Sequence, residues 1–293
     1  FRDCALGPVP PGADALQDAH REVQAGVQAT LANLDAQPER IPRRPQLLPA
    51  LMRAIGSGNA SASAIAALVQ QDPTLTGNVL RVANSAYYRV AGRPLESVER
   101  AIARLGTDGM RPIIAATLLQ PVMHGQRGAF AQFAPIAWEH SLVAATAAAE
   151  CARDDDRELA QTAHMVALLH GLGGIVVVQA VRDAYARRPL LVPDPRVPAA
   201  LLDAAGQTAA RIAASWELPA PLLEALAAPS IPGMTAGPLA HALACGGTVA
   251  DAVVLARTGA LEPEVAIASL GPVSGRAQAV ARRLLEPDGG AAA

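Results

Sequence analysis

Apolar residues return at three- and four-residue steps along most of this chain, the spacing of helices with one buried face. In "DPTLTGNVLRVANSAYY" the residues Leu75, Val79, Val82, Ala83 and Ala86 line one side. Val98, Ile102 and Leu105 do the same in "ESVERAIARLG", where Gly106 is a C-terminal stop signal. Strict alternation of apolar and polar positions is scarce. The one β-branched run, "GGIVVVQ", opens into "AVRDAYARR" and reads as the start of a buried helix. The expected class is all-α.

The same pattern divides the chain. Residues 1–42 form an N-terminal helix and linker. That helix runs from about Asp14 to Ala36 and presents Leu16, Val23, Val27, Leu31 and Leu34 before "QPERIPRRP" breaks it. Its apolar face needs cover, from the body of the domain or from a second copy in a homodimer. The main body spans 43–258, as a first block over 43–124 and a second over 130–258, joined by the turn "HGQRGA". Residues 259–293 supply a C-terminal helix and a tail, "EPDGGAAA", that reads as disordered.

Composition adds little direction. The chain has 293 residues, is 51% hydrophobic and 17% charged, and carries a formal charge of −2. A sizeable core is therefore available, and there is no global attraction to nucleic acid or an anionic membrane. Every basic residue is arginine, which fits a GC-rich genome. Cys4, Cys151 and Cys245 are odd in number and widely spaced, which suits neither a disulfide framework nor a metal motif and agrees with a reducing cytoplasm. Apolar stretches such as "GGIVVVQAV" are too short to span a bilayer, and no secretory signal is visible. The chain starts at Phe1 without methionine, which leaves room for residues upstream.

Two histidines share comparable settings. His140 falls on one face with Ile136, Val143 and Ala147; His170 falls on one face with Leu159, Ala163 and Val166. Both imidazoles are expected to point into the core. His164 lies on a different face from His170, and His20, His124 and His241 lack such company. A buried imidazole needs a hydrogen bond or a bound partner, so His170 is a metal ligand, a remnant of one, or an ordinary core histidine.

"WEHSLVAA" followed by "VALLHGLGG" resembles the opening motifs of the HD superfamily of metal phosphohydrolases. Residues 71 to 106, with the Asp-Pro, the Asn-Ser-Ala-Tyr-Tyr and the Ala-Ile-X-X-Leu-Gly, are similar to the hallmark of the HDOD domain, and "LLPALMRAI" to its lead-in. The resemblance covers roughly residues 43 to 258 and implies a multi-helix HDOD-like fold with a degenerate HD core. HD metal sites use a histidine and a His-Asp pair, and the aspartate supplies anionic oxygen to the metal. The resemblance places Gly171 at that aspartate, Gln207 at a later histidine, and no ligand in "EALAAP". Asp251 stands near the terminal aspartate of the pattern, so His140, His170 and Asp251 would be the remaining ligand set.

HDOD domains are regarded as non-catalytic bacterial signalling relatives. The expectation is thus a cytoplasmic regulatory module without enzyme activity, metal or cofactor. It would act through contacts with signalling proteins such as cyclic-dinucleotide turnover enzymes or two-component regulators. An alternative is a sensor of a cyclic dinucleotide, on a surface made by Arg81, Asn84, Tyr87, Tyr88, Arg89 and Arg93. Between Arg81 and Arg111 the local charge is +3, and arginine forks match phosphate. Against this, Asn84 and Ser85 suit a helix cap, and Glu96, Glu99, Arg100 and Arg104 suit a solvated ion-pair face. A third reading is an atypical metal-dependent phosphohydrolase. "RDDDRE" reads as a solvated loop that caps the next helix.

Overall fold

The computed structural model describes residues 2–8, 16–50, 53, 62–70, 73–85, 88, 94–120, 128–153, 157–228, 237–270 and 275–285. No strand occurs among them. The helices are α1 (Arg2–Leu6), α2 (Asp18–Ala32), α3 (Ala62–Gln70), α4 (Pro73–Ala83), α5 (Val98–Leu119), α6 (Phe133–Ala152), α7 (Arg157–Ala186), α8 (Arg196–Leu201), α9 (Ala205–Ser215), α10 (Ala220–Ala227), α11 (Pro238–Arg257), α12 (Pro263–Ala268) and α13 (Gly275–Leu285).

They group into two compact units. The first holds residues 1–43, 121–141 and 169–236; the second holds 44–120, 142–168 and 237–293. The division falls inside α6 and α7, so each of these helices contributes to both units.

In the first unit, α2 lays Val23, Val27 and Leu31 against Val177, Val181 and Ala184 of α7 and Val197 and Leu201 of α8. The N-terminal helix is thus covered by its own chain. Two anchors fix its register. His20 Nδ1 and the Tyr185 hydroxyl share a hydrogen bond of 2.9 Å, and Trp216 Nε1 donates to the Pro42 carbonyl at 2.8 Å. Because α2 is packed on these apolar side chains of α7 and α8, deleting residues 1–40 is expected to lower the melting temperature by more than 10 °C. Stripping several buried side chains costs well over the ~1 kcal/mol that moves a chain of this size by about 2–4 °C. An unchanged melting curve would make the segment a mere tether.

In the second unit, Ser97 caps α5, its Oγ accepting from the Arg100 N–H at 3.2 Å. Gly106 interrupts the helix at φ 70°, so the predicted stop is real, but helix resumes at once and runs to Leu119. Only glycine adopts that backbone cheaply.

Three expectations need correction. "GGIVVVQ" is the interior, not the start, of the 30-residue α7. That continuity also changes the membrane argument. The Glu158–Ala186 stretch of α7 and α11 are both long and apolar enough to cross a bilayer, with mean hydropathies of 1.7 and 1.6. The apolar window of α7 is 72% buried inside the protein, as for a core helix. Finally, Cys151 on the last turn of α6 and Cys245 on α11 form a disulfide, with Cα atoms 6.8 Å apart. They are 94 residues apart in sequence, and only the helix crossing brings them together. Cysteine usage therefore gives no sign of a reducing compartment.

Candidate functional site

The site grows from α6 and α7 where both belong to the first unit. His140 and Ser141 are consecutive on α6; His170 and Gly171 are consecutive on α7. Each histidine is half-buried by exposure and not fully enclosed as the face pattern predicts, with the His170 ring strongly desolvated. They are near enough for the charge of His140 to act on His170. Burial first, and that charge second, hold the His170 imidazole down at about 4. The expected hydrogen bond to His170 is not found among the described residues. Instead its ring edge lies against Gly206 of α9, where an added Cβ would stand 3.6 Å from Cδ2.

Gly171 carries the key geometry. A Cβ built there would lie 1.8 Å from Ser141 Oγ and 2.6 Å from Ser141 Cβ. Ser141 is 1% exposed, and its hydroxyl donates to the Ala137 carbonyl at 2.6 Å. The serine thus fills the space in which any side chain at position 171 would begin. Two further glycines tighten the same neighbourhood. A Cβ on Gly173 would meet the Ala205 carbonyl at 2.3 Å, and one on Gly206 the Leu226 carbonyl at 2.4 Å. Helices α7, α9 and α10 pack backbone to backbone there.

Gln207 and Asp251 are the other positions that the resemblance singles out. Gln207 donates from Nε2 to the Ala227 carbonyl at 3.1 Å, so its amide ties α9 to α10. Asp251 is exposed on α11 and belongs to the second unit. Among the described residues, no three His, Cys, Asp or Glu side chains converge as metal ligands would.

The second unit holds a polar pair that the sequence pattern missed. His164, on α7, is 3% exposed, and its Nε2 shares a 2.8 Å hydrogen bond with the Tyr88 hydroxyl. Its Nδ1 is buried with no hydrogen-bond partner among the described residues. A charged ring would carry a proton on both nitrogens, and burial holds the imidazole down at about 3. Burial likewise pushes the Tyr88 phenol well above its ordinary value.

The structure describes part of the arginine surface. Asn84 uses its whole amide on backbone: Nδ2 donates to the Leu80 and Leu95 carbonyls, and Oδ1 accepts from the Leu95 N–H. It pins the end of α4 to the segment that leads into α5, as a cap would. Arg81 is exposed and donates to Gln120 Oε1 at 2.8 Å. Tyr87, Arg89 and Arg93 lie outside the described residues, as do His124 and the acidic run 154–156. Loss of the Asn84 amide removes three hydrogen bonds at once. Asn84→Ala is expected to cost about 2–3 kcal/mol in urea unfolding, against about 1 kcal/mol for a single cap.

This architecture has known counterparts. A chain from Shewanella amazonensis SB2B named "Putative metal-dependent phosphohydrolase" matches over 92% of this chain and 100% of its own, at 16% identity and a TM-score of 0.58. One from Marinobacter aquaeolei VT8 named "Putative signal transduction protein" matches over 90% of this chain and 65% of its own, at 20% identity and a TM-score of 0.54. At these identities the likeness is one of fold. An uncharacterized protein of Treponema pallidum (strain Nichols) is 24% identical over 212 residues, and the match spans 70% of this chain and 40% of that protein. The family profile of the HDOD domain matches residues 41–232, well over half the chain, and the chain belongs to the HDOD domain family.

Proposed function

We propose that this protein is a non-catalytic bacterial signalling module that works in the cytoplasm through contacts with other signalling proteins. One observation carries the reading: Ser141 occupies the place where the metal-binding aspartate of an HD site would start. A divalent metal does not fit the residues that remain. Position 171 has no room for a carboxylate, Gln207 is bonded to backbone, and nothing anionic offsets the desolvation of His170. Without that carboxylate there is no group to hold a metal and position its water. The chain keeps the scaffold of a hydrolase and uses its polar atoms to close helices on one another.

The test is an assay of purified full-length protein against cyclic dinucleotides, nucleoside phosphates and a generic phosphodiester, with manganese, iron or magnesium. No turnover above that of a His140→Ala, His170→Ala double variant is expected. Turnover lost in that variant would make the protein an atypical phosphohydrolase. On the positive side, a purified two-component regulator or cyclic-dinucleotide turnover enzyme from the same cytoplasm should bind the chain with measurable affinity in calorimetry. If a free cyclic dinucleotide binds in micromolar amounts while no such protein does, the sensor reading replaces this one.

A further inference from the structure

The Cys151–Cys245 bond has no part in the site around His170. It joins the last turn of α6 to the middle of α11, wholly within the second unit. Three features of its surroundings bear on what it does.

Its two ends differ in access. Cys245 is 4% exposed, whereas Cys151 is half-buried, so the Cys151 end is the more accessible of the two to an incoming thiolate. Access to one sulfur is what thiol–disulfide exchange requires. Next, the helix crossing does not depend on the bond. Gly246 lets α11 press on α6 so closely that a Cβ there would meet the Ala144 carbonyl at 2.4 Å and Ala148 Cβ at 2.8 Å. Glu150, beside Cys151, pairs with Arg153 and with Arg283 of α13, while Arg257 at the end of α11 donates to the Leu284 carbonyl of α13 at 2.6 Å. These contacts keep the thiols adjacent after reduction. Lastly, the bond closes a loop that contains all of α7, and the constraint on the open chain grows with loop length.

From this we propose that Cys151–Cys245 is a reversible redox crosslink that sets how firmly α11 is held on α6. In reduction, the thiolate of a glutathione molecule attacks Cys151 Sγ. Cys245 leaves as a thiolate and takes a proton. The thiolate of a second glutathione then displaces Cys151, which takes a proton in turn, and the two glutathiones depart as their disulfide with two electrons transferred. In oxidation by hydrogen peroxide the two thiols lose two electrons and two protons, and peroxide becomes two waters. The fold survives both directions; the freedom of α11 does not stay the same.

The experiment uses the full chain in glutathione buffers that run from mostly oxidised to mostly reduced. Thiols are trapped with a maleimide and counted by intact mass, and hydrogen exchange is followed on α11 and α9. Cys4 stands outside the disulfide, so oxidised protein takes one label and reduced protein three. The expected result is a passage from one label to three within the series, with α11 amides exchanging about tenfold faster in the reduced state and α9 amides unchanged. Cys245→Ser should show the faster α11 exchange in every buffer; should it not fold, the wild-type series decides alone. A pair that stays oxidised in excess reduced glutathione is a permanent staple and overturns the proposal. So does a pair that never forms, or one that cycles without changing α11.

Discussion

Gly171→Ala is expected to destabilise the protein by about 3 kcal/mol, at the upper end of what overpacking does in a core. One methyl group would ordinarily be a small change in a helix, and alanine is the better helix former. Here the new Cβ would stand 2.6 Å from Ser141 Cβ. The hydroxyl of Ser141 can rotate away, but its Cβ is fixed to the backbone, so α6 and α7 must separate. The partner substitution gives the control. In Ser141→Gly the nearest remaining atom is Ser141 Cα at 3.7 Å, an ordinary contact. Ser141→Gly alone should cost about 1 kcal/mol for the glycine in a helix. The double variant should be no worse than that, which gives a coupling energy of about 2–3 kcal/mol. Urea unfolding of the four proteins measures it. Additive losses would mean that the two positions do not compete for one space. Gly171→Asp on the Ser141→Gly background would restore the HD pair in name, and still no phosphodiester turnover is expected, because Gln207 and the segment "EALAAP" offer no further ligand.

The contest between Ser141 and residue 171 shows what a sequence can and cannot disclose here. The order of motifs identified the family, while the departures from an HD site at Gly171 and Gln207 rest on the resemblance. Periodicity placed α2 and α4 because each has one apolar face and one wet one. It failed on α7 for a physical reason. From Ala163 to Leu169 every residue is buried, so no face distinguishes an inward position from an outward one. The apolar spacing therefore favours His170 over His164, although His164 is the more deeply enclosed. The two glycines that open "GGIVVVQ" read as a helix start, whereas Gly173 is a contact point where α9 approaches the α7 backbone, as Gly171 is for α6. The disulfide and the His20–Tyr185 bond depend on partners 94 and 165 residues away, and no local pattern encodes those pairings. The serine that fills the space at position 171 stands beside His140 in the sequence, but its role appears only when α6 is laid against α7.

Acid should unfold this protein through its histidines. His164 is held neutral at about 3 in the folded state, against about 6.5 when unfolded. His170 is held at about 4, by burial and by the charge of His140. For a depressed histidine the unfolded chain binds more protons as pH falls, so stability is full above about 6.5 and is lost below it. Each pH unit in that window removes up to about 1.4 kcal/mol per histidine. By pH 4, His164 alone should have cost about 3 kcal/mol. The loss from His170 ends sooner, near pH 4, and is smaller because its imidazole is held down less far than that of His164. The cause for His164 is specific: its Nε2 is taken by Tyr88, and a proton on the buried Nδ1 would find no acceptor among the described residues. Urea midpoints measured from pH 7.5 to 4 should therefore fall with a slope that exceeds one proton. Replacing His164 with leucine keeps the volume and removes the titration; the variant is less stable at pH 7, since Tyr88 loses its partner, but its pH slope should drop by about one proton. An unchanged slope would mean that His164 is already hydrated or bonded at Nδ1, and that the burial described for it does not hold in solution.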